Sequence, residues 1–173
     1  MQLLHVLCIP EICALVLAFQ DGVPQDMLPL KKLKVLHVRR AVSRWKDVIA
    51  PRLDEAATLL RPWLAIYGTA RLPLLFHYIP RMESTVVYFS VYVHDRLLLD
   101  FLTTQYPHLV LNFSVVYLAA RLGSLEILQY LHAAGLDFDL RRHTYPLERL
   151  SMSSNNLDVI RFCKDMLNGR VQA

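Results

Sequence analysis

Leu118-Ala119-Ala120-Arg121-Leu122-Gly123-Ser124-Leu125-Glu126-Ile127-Leu128-Gln129-Tyr130-Leu131 reads as a helix, a tight reversal and a second helix. The same chemistry recurs 29 residues earlier, from Phe89 to Leu102, and 32 residues later, from Leu150 to Cys163. At the position opening the second helix stand Asp95, Ser124 and Asn156, whose side-chain oxygens can accept a hydrogen bond from an N–H of the first turn. One position earlier come His94, Gly123 and Asn155, the residue types that best tolerate a left-handed backbone at a reversal. Beyond the turn, Leu98/Ile127/Val159 and Leu99/Leu128/Ile160 stay aliphatic, Phe101/Tyr130/Phe162 aromatic, and Asp100/Gln129/Arg161 polar. One buried stripe and one wet position per helix follow. A self-similar period of this length predicts stacked helical hairpins, whose function sits on a surface.

The central copy, Ser114 to Asp139, resembles an ankyrin repeat. Its paired alanines Ala119 and Ala120, Gly123, the run Leu125-Glu126-Ile127-Leu128, and Gly135 ahead of Asp137-Phe138-Asp139 fall at that family's positions. The usual Thr-Pro-Leu-His opening is replaced here by Ser114-Val115-Val116-Tyr117, and Pro146-Leu147 restores part of it in the third copy. The resemblance implies an all-α, short ankyrin-like solenoid of αα-hairpins that binds a protein partner, of a kind the letters do not name, through exposed turns and first helices. Tyr92, Arg121, Asp137 and Asp139 are the expected contact residues, being polar or amphipathic where the pattern does not demand it. The units are expected over 87–110, 111–139 and 140–173, with a degenerate one over 56–86. There Trp63 to Thr69 has a helix-then-turn shape and Leu72, Leu75, Phe76 and Ile79 are periodic, although Pro73 interrupts them.

Residues 1–55 are expected to form an N-terminal helical cap, since the end of a solenoid exposes an apolar face. Pro10 suits a helix start, and Asp21-Gly22 a stop. Gln20 to Pro29 reads as a loop. Val35, Val38, Val42, Trp45 and Ile49 alternate steps of three and four, which predicts a helix from Lys32 to Ile49 ended by Pro51.

That predicted helix is basic on its outer side. Lys31, Lys32, Lys34, Arg39, Arg40, Arg44 and Lys46 give +7 over residues 31–46 with no acid, so the rest of the chain, whose total is +4, carries −3. A nucleic acid or an anionic membrane surface is the alternative partner it allows; the plainer reading is a solvated face with Trp45 in the core. Lys31-Lys32-Leu33-Lys34 also fits a minimal nuclear-import pattern. A second resemblance, to the F-box, rests on Ile9-Pro10-Glu11-Ile12 and Val42-Ser43-Arg44-Trp45-Lys46, and implies a ubiquitin-ligase substrate adaptor. The glutamate follows the proline directly, where the family spaces it by one, and the intervening stretch is longer than usual.

Catalytic patterns are missing from the letters. The seven histidines form no His-Glu-x-x-His pair, and there is no Cys-x-x-Cys, phosphate loop or nucleophile elbow. No enzyme activity, cofactor, metal or small-molecule substrate is expected. His94-Asp95 is assigned to the turn, His77 and His132 to helical apolar faces, and the sequon Asn112-Phe113-Ser114 to a repeat start. Met1 to Phe19 holds His5, Pro10 and Glu11, which fits neither a membrane span nor a secretory leader. Cys8, Cys13 and Cys163 lack ligand spacing, so an intracellular home is expected, cytoplasmic by default and nuclear through the lysine cluster.

Overall fold

The computed structural model describes residues 22–34, 36, 45–135 and 156–167, which are mostly helical and contain no strand. The helices are α1 (Ala50–Tyr67), α2 (Leu72–Tyr78), α3 (Met82–Tyr92), α4 (Arg96–Gln105), the single turn α5 (Pro107–Val110), α6 (Phe113–Leu122), α7 (Leu125–Ala133) and α8 (Leu157–Leu167). Helix α3 packs against both α1 and α6, the pairs α3/α4 and α6/α7 close as hairpins, and α8 lies on α7.

Position in this arrangement explains the composition of each helix. Helices α3 and α6 are enclosed on several sides, and Val86, Val87, Phe89 and Val91, like Val115, Val116 and Leu118, are buried around the whole circumference. Such a helix tolerates a polar group only if that group is satisfied: Ser90, fully buried, donates its hydroxyl to the Val87 carbonyl at 2.8 Å. Ala119 and Ala120, both fully buried, are small enough to let α6 approach its neighbour closely. Helices α4 and α7 bury one stripe each, Leu98-Leu99-Leu102 and Ile127-Leu128-Leu131, while α8 contributes Val159 and Cys163. Each fully buried aliphatic or aromatic side chain stabilises the fold by about 1.5–3 kcal/mol.

The two complete hairpins turn by the same hydrogen bonds. Asp95 N–H donates to the Ser90 carbonyl at 2.9 Å, and Ser124 N–H to the Ala119 carbonyl at 3.0 Å. His94 N–H reaches Val91 and Gly123 N–H reaches Ala120. The left-handed residues are His94, with φ 57°, and Gly123, with φ 73°; a side chain there costs about 1–2 kcal/mol, which glycine avoids. The second helices then open alike, through Leu99 N–H to Asp95 O, Leu128 N–H to Ser124 O and Ile160 N–H to Asn156 O. Asn155 lies outside the described residues.

Elsewhere the structure departs from expectation. No helix runs from Lys32 to Ile49: Leu30–Lys32 is a 3₁₀ turn, Leu33, Lys34 and Leu36 are non-helical, and Trp45–Ile49 is a π turn that continues into α1. Pro51 therefore does not end the helix: it lies in the first turn of α1, directly after the π turn. Residues 55 and 56, the expected junction of cap and repeats, both lie inside α1. Pro73 likewise sits in the first turn of α2, and Leu72, Leu75, Phe76 and Ile79 are all buried. Helix α3 starts at Met82, inside the stretch expected to hold the degenerate unit and ahead of the unit start at residue 87. The described part of the loop before Pro29 holds a 3₁₀ turn, Gln25–Met27, whose Met27 is fully buried.

Candidate interaction surface at the turns

Successive turns are stitched to one another by side chains. Ser124 Oγ lies 3.1 Å from His94 Nδ1, which joins the α6/α7 turn to the α3/α4 turn. Asn156 then reaches back from the start of α8: its Nδ2 donates to the Gly123 carbonyl at 2.8 Å, while its Oδ1 accepts from Asp158 N–H at 3.1 Å and Val159 N–H at 3.4 Å. Two rungs thus form a ladder across three turns, Ser124 to His94 and Asn156 to Gly123. Asp95 and Asn156 cap their helices as their residue types suggest, Asp95 by accepting from Leu98 N–H at 3.0 Å. Ser124 does not cap α7; its hydroxyl is given to the ladder instead.

Farther along the second helices a charged cluster repeats the joint. Arg96 of α4 pairs with Asp100 at 3.3 Å, approaches Glu126 of α7 at 3.7 Å, and lies 4.1 Å from the centroid of the Tyr130 ring. Burial raises the Tyr130 pKa; a bond with Thr103 lowers it, and the Asp100 carboxylate raises it again. These partners are half-exposed, so each ion pair is worth about 0–1 kcal/mol. His132 meets Phe162 of α8 edge-on at 6.2 Å.

The ladder stops at the α1/α2 turn. Gly68 again has positive φ, 64°, but its ψ of −172° points its carbonyl the opposite way from that of Gly123, where ψ is 24°. The residue that would reach it, Asp95, has a carboxylate, which has no hydrogen to donate. An open cleft lies between these turns. Its larger lobe, about 460 Å³, is lined by Arg61, Leu64 and Ala65 of α1, Phe89 of α3, Val93 and Asp95. A second lobe of about 280 Å³ shares Leu64 and Asp95 and extends past Gly68 and Thr69 to Leu97, Leu98 and Phe101. At its lip Leu97 is 82% exposed, and on the same end of α1 Ile66 is 73% exposed. Sequence reading missed this surface, although one signal was present: Leu97 stands where the other copies have Glu126 and Asp158.

Two of the four expected contact residues, Tyr92 and Arg121, make contacts within the chain. Tyr92 donates its hydroxyl to Asp54 Oδ1 of α1 at 2.6 Å; that bond first, then burial and the carboxylate's charge, raises the phenol's pKa above the ordinary tyrosine value. The Arg121 guanidinium lies 5.6 Å from the centroid of the half-buried Trp45 ring. Asp137 and Asp139 lie outside the described residues. So do Arg39, Arg40 and Arg44 of the basic stretch and Pro10 and Ile12 of the F-box resemblance; Lys31 and Lys32 on one 3₁₀ turn, Lys34 just beyond it and Lys46 on the π turn are all exposed, but not on one helical face. Leu30 before the basic stretch, Leu36 within it and Ile49 after it anchor the chain, all buried. A further anchor is Asp26, whose carboxylate accepts from Trp63 Nε1 at 3.3 Å and takes both Nε and Nη2 of Arg71, at 3.4 and 3.2 Å. The sequon residue Asn112 caps α6, accepting from Ser114 and Val115 N–H, and its amide nitrogen donates to the Leu109 carbonyl.

Among the described residues no group of three or more His, Cys, Asp or Glu is placed to hold a metal ion, and no helix is long and apolar enough to cross a membrane. No family model matches the chain, and neither a curated protein nor a solved structure is significantly similar to it.

Proposed function

We propose that this chain is a non-catalytic protein-interaction module, a short ankyrin-like array of helical hairpins that holds a partner at its turn edge. The observation that carries the reading is the ladder His94–Ser124 and Gly123–Asn156, in which the side chain opening a second helix reaches the left-handed residue of the turn before it, 30 and 33 residues away. Stacking in register of this kind presents a row of turns whose exposed residues are free to vary without cost to the core. With Tyr92 and Arg121 engaged inside the chain, binding belongs to side chains that α1, α3 and α4 leave exposed beside those turns, together with Asp137 and Asp139.

The test is affinity capture with the folded full chain, followed by reconstitution from purified components at low and high salt. A stoichiometric complex with one protein, retained at high salt, is the expected result. Binding confined to nucleic acid or anionic vesicles and lost steeply with salt would overturn it in favour of the basic stretch.

A further inference from the structure

We infer that the π turn Trp45–Ile49 is a releasable cover over Arg121, and that Trp45 holds the place an aromatic side chain of a partner protein takes there. This rests on the interaction-module reading and adds a surface that the closed chain withholds. Tyr92 and Arg121 occupy equivalent positions, 29 residues apart, near the C-terminal ends of the first helices α3 and α6. Both are engaged by one stretch of chain: Asp54 accepts from the Tyr92 hydroxyl, and the Trp45 ring centroid lies 5.6 Å from the Arg121 guanidinium. The row is therefore filled from within, and the group that fills it at Arg121 is an aromatic ring.

The two halves of that stretch are held unequally. Asp54 belongs to α1, which is rooted by Leu53, Ala56 and Leu60, all fully buried, and by Trp63. In the π turn only Ile49 is buried; Lys46 and Asp47 are exposed, and Trp45 and Val48 are half-buried. Pro51 follows closely and has no N–H to return to the turn before it. Once that turn unwinds, Pro51 stands in the first turn of a helix, where a missing N–H costs nothing. The chain can thus give up the π turn, a rare geometry that recurs at functional sites, and keep α1 whole. Unwinding takes Trp45 off Arg121 and leaves a guanidinium face that stacks on an incoming ring as it did on the indole.

A displayed library of random peptides, selected on the full-length Trp45→Leu chain, provides the probe; leucine keeps an apolar contact with the core and removes the ring. Enriched peptides are expected to share an aromatic residue and to be lost when Arg121→Ala is added. They should bind the parent about tenfold more weakly, as for a cover closed in roughly nine molecules of ten. Trp45→Phe, which restores a ring, should bind like the parent. Failure to enrich any peptide, enrichment without an aromatic residue, equal affinity for parent and Trp45→Leu, or indifference to Arg121→Ala would overturn the inference. So would an equal gain from Tyr92→Phe, since loosening of α1 and not release of the turn would then be the cause. Should Trp45→Leu fail to fold, selection on the parent decides: a bound aromatic peptide must speed amide exchange over Trp45–Ile49 and leave residues 53–63 protected, and unchanged exchange overturns the cover. A captured protein whose affinity ignores both Trp45→Leu and Arg121→Ala would remove the cover while leaving the module reading in place; capture of no protein by either chain would remove the reading and the cover with it.

Discussion

The hairpins from α3 to α8 and the hairpin-like α1–α2 segment have similar helices but differ at their joints. In the first region, each turn carries a side chain able to donate toward the turn before it, or to accept from it: Ser124 toward His94, and Asn156 toward Gly123. In the second, a carboxylate faces a glycine whose carbonyl points elsewhere, and a cleft takes the place of a bond. Apolar stripes suffice to pack helices, but they do not decide whether neighbouring turns close on one another. That depends on one or two polar atoms per turn, and where those atoms fail to match, surface is left over for another molecule.

The ladder is broken most severely at Asn156. Asn156→Ala removes two cap bonds to the first turn of α8 and the bridge to Gly123 at once, with an expected loss of about 1.5–3 kcal/mol. Ser124→Ala deletes a single bond and leaves α7 uncapped as before, so about 0.5–1.5 kcal/mol is expected. Urea denaturation of both variants and of the double mutant checks the ranking. If Ser124→Ala proved the costlier, the turn bonds would not be the joints described here.

The α1 side is held to α3 by Tyr92 and Asp54, and there the handle is pH. The folded-state pKa of Tyr92 is raised because its protonated hydroxyl is held by the carboxylate. Its contribution to stability is therefore fully present below the ordinary tyrosine value and is lost as pH rises through the shifted one. Asp54→Asn should lower the Tyr92 midpoint in an ultraviolet titration, with Tyr92→Phe identifying the transition. An unchanged midpoint would mean that the bond at 2.6 Å does not persist in solution.

Much of the hairpin region is written in the letters. The stripes Leu98-Leu99 and Ile127-Leu128 are buried, and His94 and Gly123 adopt the left-handed backbone their residue types allow. These features depend on neighbours within one turn of helix, which is the range over which periodicity and φ preference act. The cleft was illegible for the opposite reason. It depends on the ψ of Gly68, which nothing local dictates because glycine is permissive, and on Asp95 lying across from a turn nearly thirty residues earlier in the chain. Pro51 and Pro73 misled in a similar way: a proline marks a boundary, but only its place in the turn says which side of the boundary the helix lies on. Tyr92 and Arg121 looked free because a single sequence does not show that Asp54 and Trp45 come round to meet them.

The smallest expected effect separates the two causes of the missing joint. Asp95→Asn supplies the donor that the carboxylate lacks and preserves the cap, since asparagine and aspartate are about equally good at that position. It also removes a negative charge from the N-terminus of α4, worth about 0.3–1 kcal/mol at an exposed site. If the absent donor alone kept the turns apart, the introduced amide would bond to Gly68, offset that loss and narrow the cleft. The carbonyl of Gly68 is turned the wrong way, however, and redirecting it means changing ψ at the bond that leads directly into the 3₁₀ turn Thr69–Arg71. The variant should therefore be slightly less stable than the parent, by about 0.5 kcal/mol, with Gly68 and Thr69 amide exchange unaltered. A gain in stability together with slower exchange at Gly68 would show instead that one hydrogen atom at this position is all that the ladder needs to continue into α1.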